Sequence, residues 1–275
     1  MKVLIKGAGD LATGVACTLY QAGFEILMTE ISAPTAIRRE VSFAQAVFQG
    51  SMRVEDIQAD LVGDVFDAEE VFEKGNIAIM IDENLDCLSQ YQPDVLIEAT
   101  LAKHNTGISK DMAPFTIALG PGFYAGIDAD VVIETMRGHD MGRLLIAGEA
   151  VPNTGVPGEV GGKSEERVLR ATGDGLFEPC CVIGQMVQLG DLIAYCGGVP
   201  MPATLDGYIR GLLFPEMDVV KGMKVGDIDP RCKQEHCFTI SDKARALGGA
   251  VLTAIMQNQN QNQNTQTCAC HSGCC

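Results

Sequence analysis

The sequence has no tryptophan, few aromatic residues of any kind and no basic stretch interleaved with aromatics. Nucleic-acid binding draws on positive charge and stacking surfaces, so both absences weigh against it. Positive charge is scarce: 20 lysines and arginines stand against 36 aspartates and glutamates, for a formal net charge of −16. Such a chain is repelled by nucleic acid and by anionic membranes. No run approaches the roughly 18 consecutive apolar residues of a membrane span, and the first residues lack the apolar stretch of a secretory signal. A cytoplasmic location is expected, where the 11 cysteines serve as free thiols or metal ligands rather than in disulfides. At 275 residues the chain suits one large or two ordinary domains with ample material for a core.

The most informative stretch is Met1 to Glu30. Val3-Leu4-Ile5 reads as a short buried strand, Gly7-Ala8-Gly9 as a tight turn, and Asp10 to Tyr20 has apolar residues at helical spacing. A second strand from Phe24 to Thr29 ends on Glu30. This is the opening βαβ unit of a doubly wound sheet. Gly7-Ala8-Gly9-Asp10-Leu11-Ala12 fits the G-x-G-x-x-G/A fingerprint: Gly7 permits the turn, Gly9 lets a pyrophosphate approach the backbone, and Ala12 allows close helix–strand packing. The phosphates sit on the helix N-terminus. Glu30 stands where a carboxylate accepts from a ribose 2′-OH and disfavours a 2′-phosphate, which points to NAD rather than NADP. The alternative is a Gly-rich turn that merely joins strand to helix.

Strands and helices alternate through the first half. Helices are expected near Phe43 to Phe48, at Ala68 to Lys74 and at Glu83 to Gln90, and strands at Ile77–Ile81, Val95–Ile97, Phe115–Leu119, Val131–Ile133 and Leu144–Ile146. In open α/β sheets ligands bind beyond the carboxyl ends of the strands. There lie Lys103, His104 and Asn105, the Gly120-Pro121-Gly122-Phe123 turn, and the run from Glu134 to Arg143. With Arg38 and Arg39 these form a candidate anion-lined cleft; solvated surface charge is the alternative for Lys103, Arg137 and Arg143. Arg38, Lys103, Asn105, Arg137 and His139 would orient a ligand, and His139 beside Asp140 is a candidate general acid/base. Adjacent residues on a strand face opposite ways, so a satisfied loop histidine competes with that reading.

From Gly148 to Glu166 a Gly/Pro-rich run reads most simply as a linker, with an ordered loop over the cleft as the alternative and Asn153 and Thr154 as candidate ligand contacts. Beyond it Ala171-Thr172-Gly173-Asp174-Gly175 recurs 32 residues on as Ala203-Thr204-Leu205-Asp206-Gly207, and the same offset takes Val187 to Val219 and Gly190 to Gly222. The unit is a small all-β domain of two-fold character. It resembles the barrel-sandwich hybrid of biotinyl and lipoyl carrier domains, yet the Cys196-Gly197-Gly198-Val199-Pro200-Met201-Pro202 segment lacks the lysine that such carriers modify. Docking a partner or covering the cleft is the expected role. Ser241 N-caps a last helix, Asp242 to Met256, on which Lys243 and Arg245 are candidates to face an anion. The Gln/Asn tract that follows is expected to be disordered. Cys268, Cys270, His271, Cys274 and Cys275 are a candidate site for selenium or a soft metal, although their spacing matches no structural zinc pattern.

GAGDLATGVA, PTAIRREVSFAQAV, LAKHN, GPGF, VIETMRGHDMGR, PNTGVPGE, LDGYIRGLL and ISDKARALGG occur in that order. Over Met1 to Met256 these segments resemble the selenium-dependent molybdenum hydroxylase system proteins, the YqeB-type accessory family. The resemblance implies a bacterial accessory protein that assists cofactor maturation of molybdenum hydroxylases related to xanthine dehydrogenase. It supplies no established catalytic residues. The expected architecture is α/β: a Rossmann-like doubly wound parallel sheet over 1–150, a barrel-sandwich-hybrid-like β domain over 165–232, a C-terminal helix over 240–256 and a disordered tail over 257–275. The expected ligand is NAD or a molybdopterin dinucleotide, held by Gly7, Gly9, Asp10, Leu11, Ala12, Glu30, Arg38 and Asn105. The expected macromolecular partner is the hydroxylase apoenzyme, with neither nucleic acid nor membrane involved. Two alternatives stay open: an NAD-dependent oxidoreductase of a small anionic substrate, using His139, Asp140, Lys103 and Arg137, and a non-catalytic chaperone for the apoenzyme.

Overall fold

A computed structural model describes residues 1–271, with side chains to Gln263. In chain order the first half comprises β1 (Lys2–Lys6), α1 (Asp10–Gln21), β2 (Glu25–Glu30), α2 (Ala46–Gln49), β3 (Ser51–Val54), β4 (Ile57–Val62), α3 (Val65–Glu73), β5 (Ile77–Ile81), α4 (Leu88–Tyr91), β6 (Val95–Glu98), β7 (Phe115–Leu119), β8 (Tyr124–Ala125), β9 (Val131–Ile133), β10 (Leu144–Leu145) and β11 (Gly148–Glu149). Among the described residues nine of these strands form one sheet in the order β10-β9-β7-β6-β1-β2-β5-β4-β3. The run from β9 to β4 is parallel throughout, and antiparallel β10 and β3 close its two edges. The chain builds outward from β1 to one side through β2 and to the other through β6, so the order reverses between β1 and β6 and opens a crevice at their carboxyl ends.

Both faces of the sheet are covered, as the apolar character of its strands requires. Side chains alternate along β1: Val3 and Ile5 pack with Val15 and Leu19 of α1, while Leu4 packs on the opposite face with Ala68 and Val71 of α3 and with Tyr91. Full burial of one such aliphatic side chain contributes about 1.5–3 kcal/mol, so β1 anchors both layers. The expected helix over Glu83 to Gln90 is shorter in the structure. Leu85 takes a left-handed φ of 62°, and the Asp82 carboxylate accepts from the N–H groups of Asp86 and Cys87, which delays α4 to Leu88. The β3–β4 hairpin had no clear signal in the sequence.

The second half contains β12 (Val168–Arg170), β13 (Gly175–Pro179), β14 (Met186–Val187), β15 (Leu192–Cys196), β16 (Val199–Pro202), β17 (Gly207–Leu212), β18 (Asp218–Val219) and β19 (Lys224–Asp229). They form two four-stranded sheets, β12-β19-β17-β14 and β16-β15-β13-β18, around a shared core that includes Phe177, Ile193, Ile209 and Ile228. The 32-residue offset carries β13, β14 and β15 onto β17, β18 and β19, so each sheet is the other's repeat with strands exchanged. The two repeat aspartates act alike. Asp174 accepts from the Lys221 N–H at 2.6 Å and Asp206 from the Leu189 N–H at 2.7 Å, each tying one copy's turn to the other copy.

The last helix, α5 (Asp242–His271), lies along α1 at close range. A Cβ on Gly14 would stand 2.5 Å from the Ala244 Cβ, and one on Gly248 would stand 2.2 Å from the Thr18 Oγ1. The pairs 14 with 244 and 18 with 248 advance together, so the two helices run in the same direction and their N-termini lie side by side. α5 does not stop at Met256. It continues through the Gln/Asn tract, which was expected to be disordered, because a helix already nucleated and packed gains one backbone bond per added residue and Gln is a good helix former. Among the described residues no helix is long and apolar enough to cross a membrane.

Candidate functional site

The β1–α1 turn is held from both sides. Gly7 takes a φ of +95°, and a Cβ there would meet the Thr100 backbone N–H nitrogen at 3.0 Å. Gly9 has a different role: its φ of −63° suits any residue, and the space where its Cβ would stand is open. The first intrahelical bond of α1 runs from the Thr13 N–H to the Gly9 carbonyl at 2.8 Å, which leaves the Asp10, Leu11 and Ala12 N–H groups without intrahelical partners. Glu30 braces the same turn. One carboxylate oxygen accepts from the Ala8 N–H and the other from the Ile31 N–H, each at 2.9 Å, and burial holds its pKa above the usual carboxylate range. Each oxygen keeps a lone pair for a ligand hydroxyl.

Two chambers meet at the N-terminus of α1. The first, of about 440 Å³, is lined by Gly7, Gly9, Glu30, Thr35, Asn84 and Thr100 among others. The second, of about 410 Å³, lies between the large sheet and the β domain. Both are within the usual size of small-molecule sites, and Asp10, Leu11 and Leu101 belong to both walls. A pyrophosphate on α1 therefore has space on either side of it.

The second chamber is strongly cationic. Arg38, Lys103, Arg137, Arg167, Arg210, Lys224 and Lys243 line it against two carboxylates, Asp10 and Asp227. In a chain of net charge −16 this gathers about a third of all basic residues in one cavity. Ser241 and Lys243 bring the start of α5 beside that of α1, so two parallel helix dipoles present their positive ends to one space. Arg38 bonds Asp10 at 3.3 Å and the His236 and Thr239 carbonyls at 3.1 Å each, which fastens the α1 terminus to the segment entering α5. Arg167 pairs with Asp227, and Arg137 grips Asp242 with both guanidinium nitrogens. Buried Glu134 accepts from the Met136 and Val151 N–H groups at 2.7 Å each, setting the wall that follows β9. Leu101 and Lys103 both hold left-handed φ values, 58° and 68°, at the mouth between the chambers. Backbone strain of this kind clusters at functional sites.

Gly7, Gly9, Asp10, Leu11, Glu30, Arg38, Lys103 and Arg137 thus meet at the paired chambers, and Ala12 lies fully buried on the adjoining turn of α1. His139 and Asp140 do not: they sit on an exposed turn outside both chambers, where Asp140 pairs with Arg143 at 3.1 Å. Asn105 spends its side chain on its own loop and on the turn before β9, donating to the Ile108 carbonyl and to Asp128 and accepting from the Gly107 and Ile108 N–H groups. Arg39 donates to the Leu212 carbonyl, and Arg245 pairs with Glu55. The Gly148–Glu166 run is chamber wall rather than simple linker, contributing Asn153, Thr154 and Gly158. Arg167, Arg210 and Lys224 carried no local sequence signal. Their positions do break the repeat, where the residues 32 before Arg210 and Lys224 are Glu178 and Leu192. Among the described residues no group of three or more His, Cys, Asp or Glu is placed to hold a metal ion. The side chains of Cys268, Cys270 and His271, and all of Cys274 and Cys275, lie outside the described residues.

The chain is similar to YqeB of Escherichia coli. Identity to this uncharacterized protein of strain K12 is 48% over 254 residues, covering 92% of this chain and 47% of that protein. The chain thus spans about half the length of the curated relative it matches. No family model matches the chain. Among solved structures, an aspartoacylase family protein from Mesorhizobium loti aligns at 12% identity and the ectoine utilization protein EutE (DoeB) from Ruegeria pomeroyi at 15%. Each alignment covers 82% of this chain and 84% of the other with a TM-score of 0.27, which carries no argument about fold or activity.

Proposed function

We propose that the chain is a YqeB-type accessory protein that binds a pyrophosphate-linked dinucleotide and assists maturation of a selenium-dependent molybdenum hydroxylase. The observation that carries the binding reading is the joint geometry at α1: an open cradle over Gly9, unpaired N–H groups behind it, and a cationic chamber beyond. The parallel core, with its order reversed between β1 and β6, supports a Rossmann-like domain, and the paired four-stranded sheets support a barrel-sandwich-like one. The residues fit NAD or a molybdopterin dinucleotide, since both present a pyrophosphate. Gly9, Asp10 and Leu11 would hold it, Glu30 would accept from a ribose hydroxyl, and the second chamber would receive the half that carries the chemistry. With His139 and Asp140 outside the chambers, the oxidoreductase alternative keeps only Lys103 and Arg137 at the ligand, which favours binding and delivery over hydride transfer.

The β domain supplies the opposite wall and offers a surface for the hydroxylase apoenzyme. The test is to purify that hydroxylase from cells lacking this chain and measure its bound cofactor and activity. Loss of both, restored by the wild-type chain and not by a Gly9→Ala variant, supports the reading. Full cofactor and activity without the chain would dispose of it.

A further inference from the structure

The cationic chamber holds more positive charge than its own carboxylates answer. Arg38 is matched by Asp10, Arg137 by Asp242 and Arg167 by Asp227. The side chains of Lys224 and Lys243 line the same cavity with no hydrogen bond or ion pair among the described residues. They approach from opposite sides, Lys224 from the first residue of β19 in the β domain and Lys243 from the first turn of α5. Two guanidinium groups complete the wall. Arg38 and Arg210 are only 9% and 7% exposed; the Arg38 Nε has no hydrogen-bond partner among the described residues, and Arg210 faces Asp229 at 3.7 Å and Asp227 at 4.0 Å, ion pairs too long to satisfy its Nε with a hydrogen bond. Desolvation inside the cavity holds both lysines below their ordinary pKa, against the pull of Asp227 on Lys224 and of Asp10 on Lys243. The buried guanidinium Nε groups are costly without acceptors, and an anion that also accepts from half-buried Lys243 and from Lys224 at the open side of the cavity offsets that cost.

We propose that Lys224 and Lys243, backed by Arg38 and Arg210, form a second anion subsite that takes a dianionic tetrahedral oxyanion, either free phosphate or the phosphomonoester end of a larger ligand. Donors converging from two domains suit a tetrahedral group with acceptors on every side, whereas a planar carboxylate suits a single fork-shaped partner. The inference rests on the dinucleotide reading in one respect: the pyrophosphate occupies the α1 terminus and leaves these lysines to another group.

The experiment is calorimetric titration of the full chain with inorganic phosphate, using wild type, Lys224→Met, Lys243→Met and Lys224→Arg. Wild type binds phosphate saturably, each Met variant weakens it about tenfold or more, and the Arg variant restores most of the affinity. Neither lysine side chain makes a hydrogen bond or ion pair among the described residues, so urea midpoints no lower than wild type separate loss of the subsite from loss of structure. Absence of saturable phosphate binding in wild type, or wild-type affinity in both Met variants, overturns the proposal. Titration with NAD, GDP and CDP in parallel tests the dinucleotide reading separately: if these bind and phosphate does not, only the subsite fails; if phosphate binds and none of these does, only the dinucleotide reading fails. Phosphate binding to NAD-saturated chain supports a subsite separate from the pyrophosphate; exclusion of phosphate by NAD, which carries no phosphomonoester, overturns it.

Discussion

Gly9 separates folding from binding, and the structure sets the size of both effects. Its φ of −63° and ψ of 178° are open to alanine, and no atom outside its immediate neighbours lies within 4 Å of the added Cβ. Gly9→Ala therefore leaves the folded state unstrained, and by restricting the unfolded chain it stabilises the protein by about 0.4–1 kcal/mol. Binding moves the other way. The methyl fills the space over which a pyrophosphate reaches the α1 N–H groups, and losing one or two charge-assisted bonds of about 1.5–3 kcal/mol each lowers affinity tenfold or more. Gly7→Ala is the contrasting variant. Its φ of +95° and the Thr100 nitrogen at 3.0 Å make it less stable by about 1–3 kcal/mol. Urea denaturation and calorimetric titration with NAD, GDP and CDP on all three proteins read both effects. A Gly9→Ala protein that binds as wild type does, or that unfolds at lower urea, would refute the assignment of the pyrophosphate to this turn.

Three further outcomes follow from the packing and charges. Gly14→Ala should lower stability by about 1–3 kcal/mol through collision with Ala244, while Gly249→Ala, on the same helix pair but with nothing within 4 Å, should raise it by up to about 1 kcal/mol; urea midpoints of the two decide whether the α1–α5 seam is as close as described. Burial alone would raise the Asp229 pKa, but hydrogen bonds from Arg231 outweigh it, and the Arg137 hydrogen bonds depress Asp242, while burial raises Glu30 and Glu98. The two depressed groups stabilise the fold above the ordinary carboxylate value of 3.8, and that stability is lost as pH falls through their lower folded values. The two raised groups oppose folding while ionised, so their protonation adds stability as pH falls through their raised folded values toward the ordinary 4.5. The urea midpoint should therefore hold or rise on mild acidification and then drop, and Asp229→Asn, which strands buried Arg210, should cost about 3–5 kcal/mol at pH 7. Burial pushes the Cys17 and Cys87 thiols up to about 12, so iodoacetamide at neutral pH should label exposed Cys180 and Cys232 well before either, as peptide mapping would show.

The opening βαβ unit was legible because each part is local: apolar alternation in β1, a glycine pair at the turn and helical spacing after it. The β domain was legible through its repeat, since Asp174 and Asp206 perform the same turn-tying role in each copy. The cationic chamber was only half visible. Arg38, Lys103, Arg137 and Lys243 follow recognisable strand ends or helix starts, whereas Arg167, Arg210 and Lys224 reach the cavity only because the β domain packs against the sheet, a relation between segments far apart in sequence. His139 and Asp140 misled for the opposite reason: adjacent polar residues suggest chemistry, but the turn that bears them projects into solvent. Asn105 looked like a ligand contact and instead satisfies its own loop, a common fate of asparagine in turns. The Gln/Asn tract reads as disordered by composition, which carries no information that a packed helix precedes it.

The central claim is that the two chambers at α1 hold one pyrophosphate-linked dinucleotide. It is tested most directly by purifying the protein without oxygen, releasing whatever small molecule it carries and identifying that molecule by mass spectrometry. The expected ligand is a dinucleotide, NAD or a pterin dinucleotide, that is retained by wild type and lost from Gly9→Ala. A released ligand without a pyrophosphate, or the same dinucleotide retained equally by the Gly9→Ala protein, would contradict it.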